Sequence, residues 1–460
     1  MNAKESFIIE GLAGEKKLHG AVLVNGAKNA ALKAMAASVL FDGPVRLKNV
    51  PNTDDIRTMA EILRKLGAKV EWHVIPAKAG IQSKTLDSHF RGNDNIIEID
   101  ASKIDSTDID QKLARSMRAS IVLTGPLLTR FGKVLFPAPG GCVIGTRPID
   151  LFIEGYKEMG ATMLENNSTY EIKGTLKGTE ISFDRISVGA TETLMMAAVL
   201  AKGKTILRNC AKEPEIANVA EWLNSCGANI KGIGTSTIEI EGTNGELLKP
   251  KAIYTAIPDR IEAGSFLILG ALCAEDITIN NCEPKHLESV VNLLKNAGVP
   301  INSMDSTLSI TGNSKANSSF KSFNIKTEEY PGFPTDLQAP MAVFLTQVNG
   351  ESIIEENIFE GRFKYVDDLK KIGARIIEKG PREIEIKGPT LLESKVGSGQ
   401  NHSEFEMELN AHDIRAGFAI VLAALVGEGK FKVNNAHLID RGYESLEKKL
   451  QALGASIKRV

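Results

Sequence analysis

The chain has 460 residues, a formal net charge of −2 at pH 7 and an apolar content of 43%. This length exceeds what one ordinary hydrophobic core accommodates, so we expect at least two domains. The balanced charge gives no reason to expect a general affinity for nucleic acid or for an anionic membrane, and an anionic ligand must therefore meet a local cluster of bases. The first residues lack the apolar core of a signal peptide, and the longest apolar stretches are too short to span a bilayer.

Taken in chain order, the predicted elements repeat one pattern, in which an amphipathic helix ends at a glycine and an apolar strand follows. It first occurs as "ILRKLGAKV" and last as "KKLQALGASI". The helix-ending glycines are Gly67, Gly160, Gly227, Gly298, Gly373 and Gly454. A spacing of roughly 70 residues is too long for a solenoid repeat, so each copy must hold several strands and at least two helices. Six copies predict an α/β fold with two domains of three repeats each.

The first interval between these glycines is the longest, and its surplus lies in residues 73–94. This segment has no helical periodicity and lies between two predicted strands, "AKVEW" and "NIIEID", which are expected to pair with each other. We expect a surface insertion in a hairpin loop, because the entropy of loop closure rises only slowly with loop length. A functional lid is the alternative, but the segment has a loop-like composition without a cluster of catalytic residue types.

The five cysteines are few, odd in number and without CxxC spacing, which favours a reduced compartment. The seven histidines form no HxxxH or HExxH pair, and no GxxxxGK[ST] segment occurs. We therefore expect a cytoplasmic protein with no metal ion and no cofactor.

Cys142 lies in the segment "FPAPGGCVIGTRPID", which we call the cysteine loop (residues 136–150). Four roles compete for this thiol: a packed small side chain, a disulfide, a metal ligand, or a proton donor and nucleophile. The glycines around it argue against packing, and no spacing supports a disulfide or a metal site. A thiol with a pKa of about 8.5 titrates close to neutral pH, and a nearby arginine increases its thiolate content. Cys142 is therefore suited to donating a proton and regaining it.

Nine segments occur in an order that resembles the UDP-N-acetylglucosamine 1-carboxyvinyltransferase family of enolpyruvyl transferases, over nearly the whole chain apart from residues 73–94. The segments are "NGAKNAAL" (25–32), "MRASI" (117–121), "PGGCVIGTRPIDL" (139–151), "SVGATET" (187–193), "PDRIEAGSF" (258–266), "FPTDLQA" (333–339), "IFEGRF" (358–363), "HDIRAG" (412–417) and "IDRGYE" (439–444).

The resemblance implies transfer of the enolpyruvyl group of phosphoenolpyruvate to the 3-hydroxyl of UDP-N-acetylglucosamine, with release of phosphate. This reaction is the first committed step of peptidoglycan precursor synthesis. The implied fold is an inside-out α/β barrel of six βαβαββ-type units, with strands outside and helices packed centrally. One domain comprises residues 28–257 and the other residues 1–27 plus 258–460, with the active site in the cleft between them. The implied partners are these two small molecules, with no nucleic acid and no membrane.

Residue roles also come from the resemblance. Cys142 would protonate C3 of phosphoenolpyruvate, and it would also bond covalently to that substrate and to the epoxide antibiotic fosfomycin. Asp336 would take the proton of the sugar hydroxyl, and Lys28 and Arg415 complete the catalytic set. The implied contacts to phosphoenolpyruvate are Lys28, Asn29, Arg147, Arg362 and Arg415. The implied contacts to the nucleotide sugar are Asn29, Arg118, Arg147, Pro148, Ile149, Asp150, Leu151, Arg185, Ile186, Ser187, Val188, Asp336 and Ile358.

Plainer interpretations stay open for several of these residues. Lys28 would otherwise be a solvated lysine at a helix start, Arg118 a snorkelling side chain, and Asp336 a helix cap. Phe152 and Gly361 depart from the usual family pattern, and we expect Gly361 to loosen the strand end that carries Arg362.

Two other functions compete with this prediction. A shikimate-pathway enolpyruvyl transferase shares the fold but lacks the cysteine loop. A catalytically impaired paralogue that binds nucleotide sugar is the other alternative, which the intact set of catalytic residue types argues against.

Overall fold

The structure is a computed structural model that describes residues 5–74, 95–138, 140, 144–145, 148–314, 316–394 and 407–460. Cys142 and Arg147 lie outside the described residues, as does most of the segment predicted as an insertion.

The chain divides into two compact units of similar size. Unit 1 comprises Met1–Asn25, Val143–Thr146 and Pro258–Val460, and unit 2 comprises Gly26–Cys142 and Arg147–Ile257. Each unit contains three of the six sheets that the described residues form.

The described residues form fourteen α-helices, which alternate with strands along the chain. The helices are α1 (Lys28–Ala37), α2 (Asp54–Lys65), α3 (Gln111–Ser116), α4 (Thr124–Phe131), α5 (Asp150–Glu158), α6 (Val188–Val199), α7 (Pro214–Ser225), α8 (Arg260–Cys273), α9 (Glu288–Ala297), α10 (Gln338–Gln347), α11 (Val366–Lys371), α12 (Ile414–Val426), α13 (Ala436–Asp440) and α14 (Leu446–Ala452). Short 3-10 helices lie at Ser38–Leu40, Arg118–Leu123, Pro284–Leu287, Asn317–Ser319 and Thr335–Leu337.

The strands of unit 2 and the N-terminal strands of unit 1 are β1 (Ser6–Glu10), β2 (Leu18–Leu23), β3 (Val45–Lys48), β4 (Lys69–Val74), β5 (Asn95–Asp100), β6 (Lys133–Pro137), β7 (Thr162–Asn166), β8 (Thr169–Lys173), β9 (Glu180–Ser182), β10 (Lys204–Arg208), β11 (Asn229–Lys231), β12 (Thr237–Glu241) and β13 (Tyr254–Thr255). The remaining strands of unit 1 are β14 (Ala274–Asn280), β15 (Ile301–Met304), β16 (Thr307–Ile310), β17 (Ile325–Lys326), β18 (Gly350–Glu355), β19 (Arg375–Gly380), β20 (Glu383–Gly388), β21 (Met407–Asn410), β22 (Lys430–Asn434) and β23 (Ile457–Arg459).

All six sheets follow one topology. Five have four strands, in the orders β13-β3-β5-β4, β9-β10-β12-β11, β2-β14-β16-β15, β17-β18-β20-β19 and β21-β22-β1-β23, and the first pair in each is parallel while the others are antiparallel. The sixth sheet, β6-β8-β7, has a single parallel bridge between Asp108 and Leu135 where the others have a parallel edge strand. The predicted six copies of one α/β unit, three per unit of the chain, are confirmed.

The six helix-ending glycines also behave as predicted. Each follows the end of an amphipathic helix with a positive φ between 92° and 109°, a conformation that glycine adopts without steric cost. A strand then begins within three residues, from β4 after the first glycine to β23 after the last.

Each unit has a helical centre. In unit 1, α8, α10 and α12 pack on one another, and nearly every side chain of these helices is buried. In unit 2, α1 and α6 are buried to the same extent, and α6 packs on α4. Helices that are buried on nearly all sides form the centre of a core, and in unit 1 strands β14, β20 and β1 pack on α8, α10 and α12 respectively. Within the described residues, none of the helices has the length and apolar character needed to cross a membrane.

The strands on either side of the predicted insertion pair as an antiparallel hairpin. Trp72 lies opposite Ile97, and the pairing continues to Val74 opposite Asn95. His73 and Val74 therefore belong to strand β4, so an insertion starts no earlier than residue 75. The two flanking strands pair with each other as predicted, and residues 75–94 lie outside the described residues.

Candidate active site

Unit 1 brings together three side chains that are far apart in sequence. Asp336 lies in the 3-10 helix before α10, Arg362 follows strand β18, and Arg415 is in the first turn of α12. Arg362 donates from Nη2 to Asp336 Oδ1 at 2.5 Å, and Arg415 Nη2 lies 3.5 Å from Asp336 Oδ2. Both guanidinium groups are buried, whereas the Asp336 side chain keeps 24% of its surface exposed. The three residues form a partly open carboxylate–arginine cluster.

Local structure fixes the position of both arginines. Asp413 caps α12 by accepting hydrogen bonds from the backbone N–H groups of Arg415 and Ala416 at 2.8 and 3.0 Å. Arg415 then lies over the ring of Tyr443, while Arg362 lies over the ring of Phe359. Such stacking orients a planar guanidinium group and leaves its edge available for oxygen acceptors.

The arginines also retain donors for a further anion. Arg362 Nε and Arg415 Nη1 are buried, and neither has a hydrogen-bond partner within the part of the chain that the structure describes. Burial lowers the pKa of Arg362, but the carboxylates of Asp336, Asp413 and Glu356 more than offset this, so its net pKa is raised and it stays charged. Buried charged donors without acceptors are costly unless a ligand supplies the acceptors.

The helix-cap interpretation of Asp336 is not supported. The N-cap positions of the 3-10 helix and of α10 are Pro334 and Leu337, and neither uses a side chain for capping. The Asp336 carboxylate is instead directed to the arginines.

In unit 2, Lys28 is the first residue of α1 and is 6% exposed. Its ammonium group donates to Asp55 Oδ2 at 2.9 Å, and both side chains are buried. The interpretation of Lys28 as a solvated lysine is therefore wrong. Asn29 is the next residue of the same helix and is partly buried.

Two predicted nucleotide segments of unit 2 contact each other. Arg185 Nη2 donates to both oxygens of Asp150 at 2.5 and 2.6 Å, and this hydrogen bonding lowers the pKa of Asp150. Ser187 caps α6 through a hydrogen bond from the Ala190 backbone N–H. The segments 148–151 and 185–188 thus meet where helices α5 and α6 begin. Arg118 is the first residue of a 3-10 helix of unit 2 and is partly buried.

A family model described as EPSP synthase (3-phosphoshikimate 1-carboxyvinyltransferase) matches residues 12–450. The chain belongs to this carboxyvinyltransferase family. A protein of Desulforapulum autotrophicum named UDP-N-acetylglucosamine 1-carboxyvinyltransferase is 42% identical over 450 residues, which cover 98% of this chain and 99% of that protein. A Clostridium botulinum protein of the same name is 42% identical over 451 residues, with coverages of 98% and 99%.

Among solved structures, the enolpyruvyl transferase NikO from Streptomyces tendae aligns with a TM-score of 0.83 at 23% identity and covers 99% of both chains. This likeness concerns the fold. The predicted carboxyvinyltransferase activity and the two-domain α/β fold class are confirmed.

Some of the contacts described above were not predicted from the sequence. The contacts of Glu356, Asp55 and Asp413 with the candidate site residues or with their loops were not predicted. Asp55 carried a weak signal, since it is one of two acidic residues that open α2. Glu356 gave no signal, because it is one of two successive glutamates at a strand end.

The prediction for Gly361 needs correction. Gly361 lies in a turn after β18, and its backbone N–H donates to the Ile144 carbonyl of the cysteine loop at 3.0 Å. A Cβ atom at Gly361 would lie 2.7 Å from the Ile144 carbonyl carbon and 2.8 Å from the Gly145 nitrogen. The glycine therefore permits close packing of two backbone segments and does not loosen a strand end.

Proposed function

We propose that the protein transfers the enolpyruvyl group of phosphoenolpyruvate to the 3-hydroxyl of UDP-N-acetylglucosamine and releases phosphate, in peptidoglycan precursor synthesis. One observation carries this proposal: relatives bearing the name of that activity are 42% identical over 98% of the chain. The buried arginines beside a carboxylate in unit 1 support it, since phosphoenolpyruvate is a small, multiply charged anion.

In this proposal, phosphoenolpyruvate binds to Arg362 and Arg415 of unit 1 and to Lys28, Asn29 and Arg147 of unit 2. The nucleotide sugar binds to Asn29, Arg118, residues 147–151, residues 185–188, Asp336 and Ile358. We propose that the two sets meet across an interdomain cleft when substrates bind. A small anion held by several bases is positioned for reaction, which supplies a large part of catalysis.

The proposed chemistry begins with a proton transfer from the Cys142 thiol to C3 of phosphoenolpyruvate, which places positive character on C2. The sugar 3-hydroxyl then forms a bond to C2 while its proton passes to the Asp336 carboxylate. The Cys142 thiolate then takes a proton back from the new methyl group while the C2–O bond to phosphate breaks, which gives the enolpyruvyl ether and inorganic phosphate.

Asp336 must have an accessible lone pair to act as the base. Without substrate, its oxygens face the guanidinium groups of Arg362 and Arg415. A phosphate or carboxylate group of the substrate that binds these arginines provides alternative acceptors for them. In the proposal, substrate binding therefore frees the Asp336 carboxylate from the arginines so that it can act as the base.

We also propose that the protein acts in the cytoplasm. The four cysteines that the structure describes are free and buried, and a reducing compartment keeps such thiols unpaired.

The decisive experiment measures phosphate release from phosphoenolpyruvate with UDP-N-acetylglucosamine and, separately, with shikimate 3-phosphate. We expect release only with the nucleotide sugar, and a loss of at least about a hundredfold in kcat for Cys142→Ser and for Asp336→Asn. Glu329→Gln is the matched control, because Glu329 is an exposed carboxylate seven positions before Asp336. Release with shikimate 3-phosphate instead, or full activity in both variants, would refute the proposal.

A further inference from the structure

We propose that Glu356 is a positioning residue that fixes the positions of Asp336 and Arg362 relative to each other for the transfer reaction. This inference rests on the proposed function above, since it concerns the base and one anion-binding arginine of that reaction. Glu356 is not expected to touch either substrate.

Glu356 follows strand β18 and is fully buried. Its Oε1 atom accepts hydrogen bonds from the Thr327 hydroxyl and from the backbone N–H groups of Ile358 and Phe359, each at 2.9 Å. Its Oε2 atom accepts a hydrogen bond from the Thr335 hydroxyl, also at 2.9 Å. One carboxylate therefore satisfies four donors from three chain segments.

These donors belong to the segments that carry the candidate catalytic groups. Thr335 directly precedes Asp336, so the Oε2 bond anchors the loop of the proposed base. Phe359 provides the ring beneath Arg362, so the Oε1 bonds anchor the loop of the arginine. The Glu356 side chain thus joins the two loops, in addition to the direct bond between Arg362 and Asp336.

The energetics favour a rigid arrangement. Burying a carboxylate is costly unless hydrogen bonds compensate, and charge-assisted hydrogen bonds are about twice as strong as neutral ones. Additional bonds tie the same region together: the Asn357 backbone N–H donates to the Thr327 hydroxyl, and Arg382 donates to the Glu356 carbonyl. Loss of one donor to Glu356 would leave a buried oxygen unsatisfied, and we expect the Asp336 loop to shift in response.

A small displacement of this loop has a large effect on rate, because misplacement by about 1 Å can cost about a hundredfold in catalysis. The effect should fall on kcat rather than on KM for the nucleotide sugar. Most of the proposed contacts to the nucleotide sugar lie in unit 2. Of those in unit 1, Ile358 donates to Oε1 of Glu356, and loss of the Thr335 hydroxyl at Oε2 leaves that bond in place.

The test compares two substitutions of Thr335. Thr335→Val preserves the shape of the side chain but removes the hydroxyl that donates to Glu356, whereas Thr335→Ser preserves the hydroxyl. We expect Thr335→Val to lower kcat by about tenfold or more with a nearly unchanged KM for UDP-N-acetylglucosamine. We expect Thr335→Ser to keep kcat within about threefold of the wild type.

A double-mutant cycle separates action through Glu356 from direct contact of Thr335 with substrate. If Thr335 acts through Glu356, Thr335→Val has little further effect in a Glu356→Gln background. Glu355→Gln is the control, because Glu355 is the exposed neighbour on β18. If Glu356→Gln does not fold, Thr327→Val takes its place, because it removes the hydroxyl that donates to the other oxygen of Glu356 from a segment without a proposed substrate contact. A loss of kcat like that of Thr335→Val is then expected, and a normal kcat would overturn the positioning role.

The outcomes for the two proposals can be told apart. An active wild type in which Thr335→Val and Thr335→Ser have equal, near-normal kcat values overturns the positioning role of Glu356 alone. A wild type that releases no phosphate with UDP-N-acetylglucosamine overturns the proposed function and this inference with it.

Discussion

The close packing of Gly361 against the cysteine loop makes a specific prediction for Gly361→Ala. The new Cβ atom would lie 2.7, 2.8 and 2.9 Å from three backbone atoms of Ile144 and Gly145, whereas ordinary van der Waals contact begins at 3.4 Å. Backbone atoms cannot yield as the end of a flexible side chain can. We therefore expect the cysteine loop to separate from Gly361 in this variant.

The magnitude follows from the packing. Overfilling a well-packed contact costs about 1–3 kcal/mol, which corresponds to a roughly 5- to 150-fold smaller fraction of molecules with the loop in place. If turnover requires that loop position, kcat/KM falls by up to the same factor. The thermal unfolding midpoint should change little, because the variant can relieve the clash by moving the loop alone.

Two assays test this prediction. Phosphate release gives kcat/KM, and amide hydrogen exchange at residue 361 reports the bond that its N–H donates to Ile144. Gly380→Ala is the matched control, because a Cβ atom at Gly380 meets no atom within 4 Å. Wild-type kcat/KM and unchanged exchange in Gly361→Ala would show that the close contact does not restrain the cysteine loop.

Three further predictions concern stability and the nucleotide segments. Burial raises the pKa of Glu192 to about 7, so the folded protein binds a proton at this carboxyl more tightly than the unfolded chain does. The resulting contribution to the free energy of unfolding is complete below about pH 4.5 and is lost as the pH rises through 7. Glu192→Gln should therefore remove on the order of 3 kcal/mol from the change in unfolding free energy across that window, as measured by urea unfolding at each pH, and a pH dependence equal to that of the wild type would contradict this. Replacing residues 75–94 by an Asn-Gly turn should leave phosphate release intact and stabilise the protein by at most about 2 kcal/mol, and loss of the folded state in calorimetry would contradict the insertion hypothesis. Asp150→Asn should raise KM for UDP-N-acetylglucosamine more than KM for phosphoenolpyruvate, because it breaks the pair with Arg185; equal changes in steady-state kinetics would contradict a nucleotide role.

The sequence by itself was sufficient to predict the six repeated units. Each of the six glycines ends a helix through its own backbone conformation, and the apolar periodicity on either side is a property of neighbouring residues. The two strands around residues 73–94 were predicted from the same kind of local pattern, whereas the extension of the first strand from Trp72 to Val74 was seen only in the structure. Patterns of this kind depend only on residues that are close together in sequence, so they can be recognised without a structure.

The identities of several candidate residues could also be predicted, but only through resemblance to a family. Spacing alone gave Lys28 a solvated role and Asp336 a capping role, because each residue is common in those roles at a helix start. The structure assigns Lys28 to a buried pair with Asp55 and directs Asp336 towards two arginines.

Only the tertiary structure decided which side chains share a site. Asp336 and Arg362 are 26 residues apart, and Glu356 joins their loops through donors that lie up to 29 residues away. Gly361 meets Ile144 from a still more distant part of the chain. These contacts depend on how helices and sheets pack, and packing is a property of the whole unit that no local pattern of residues encodes.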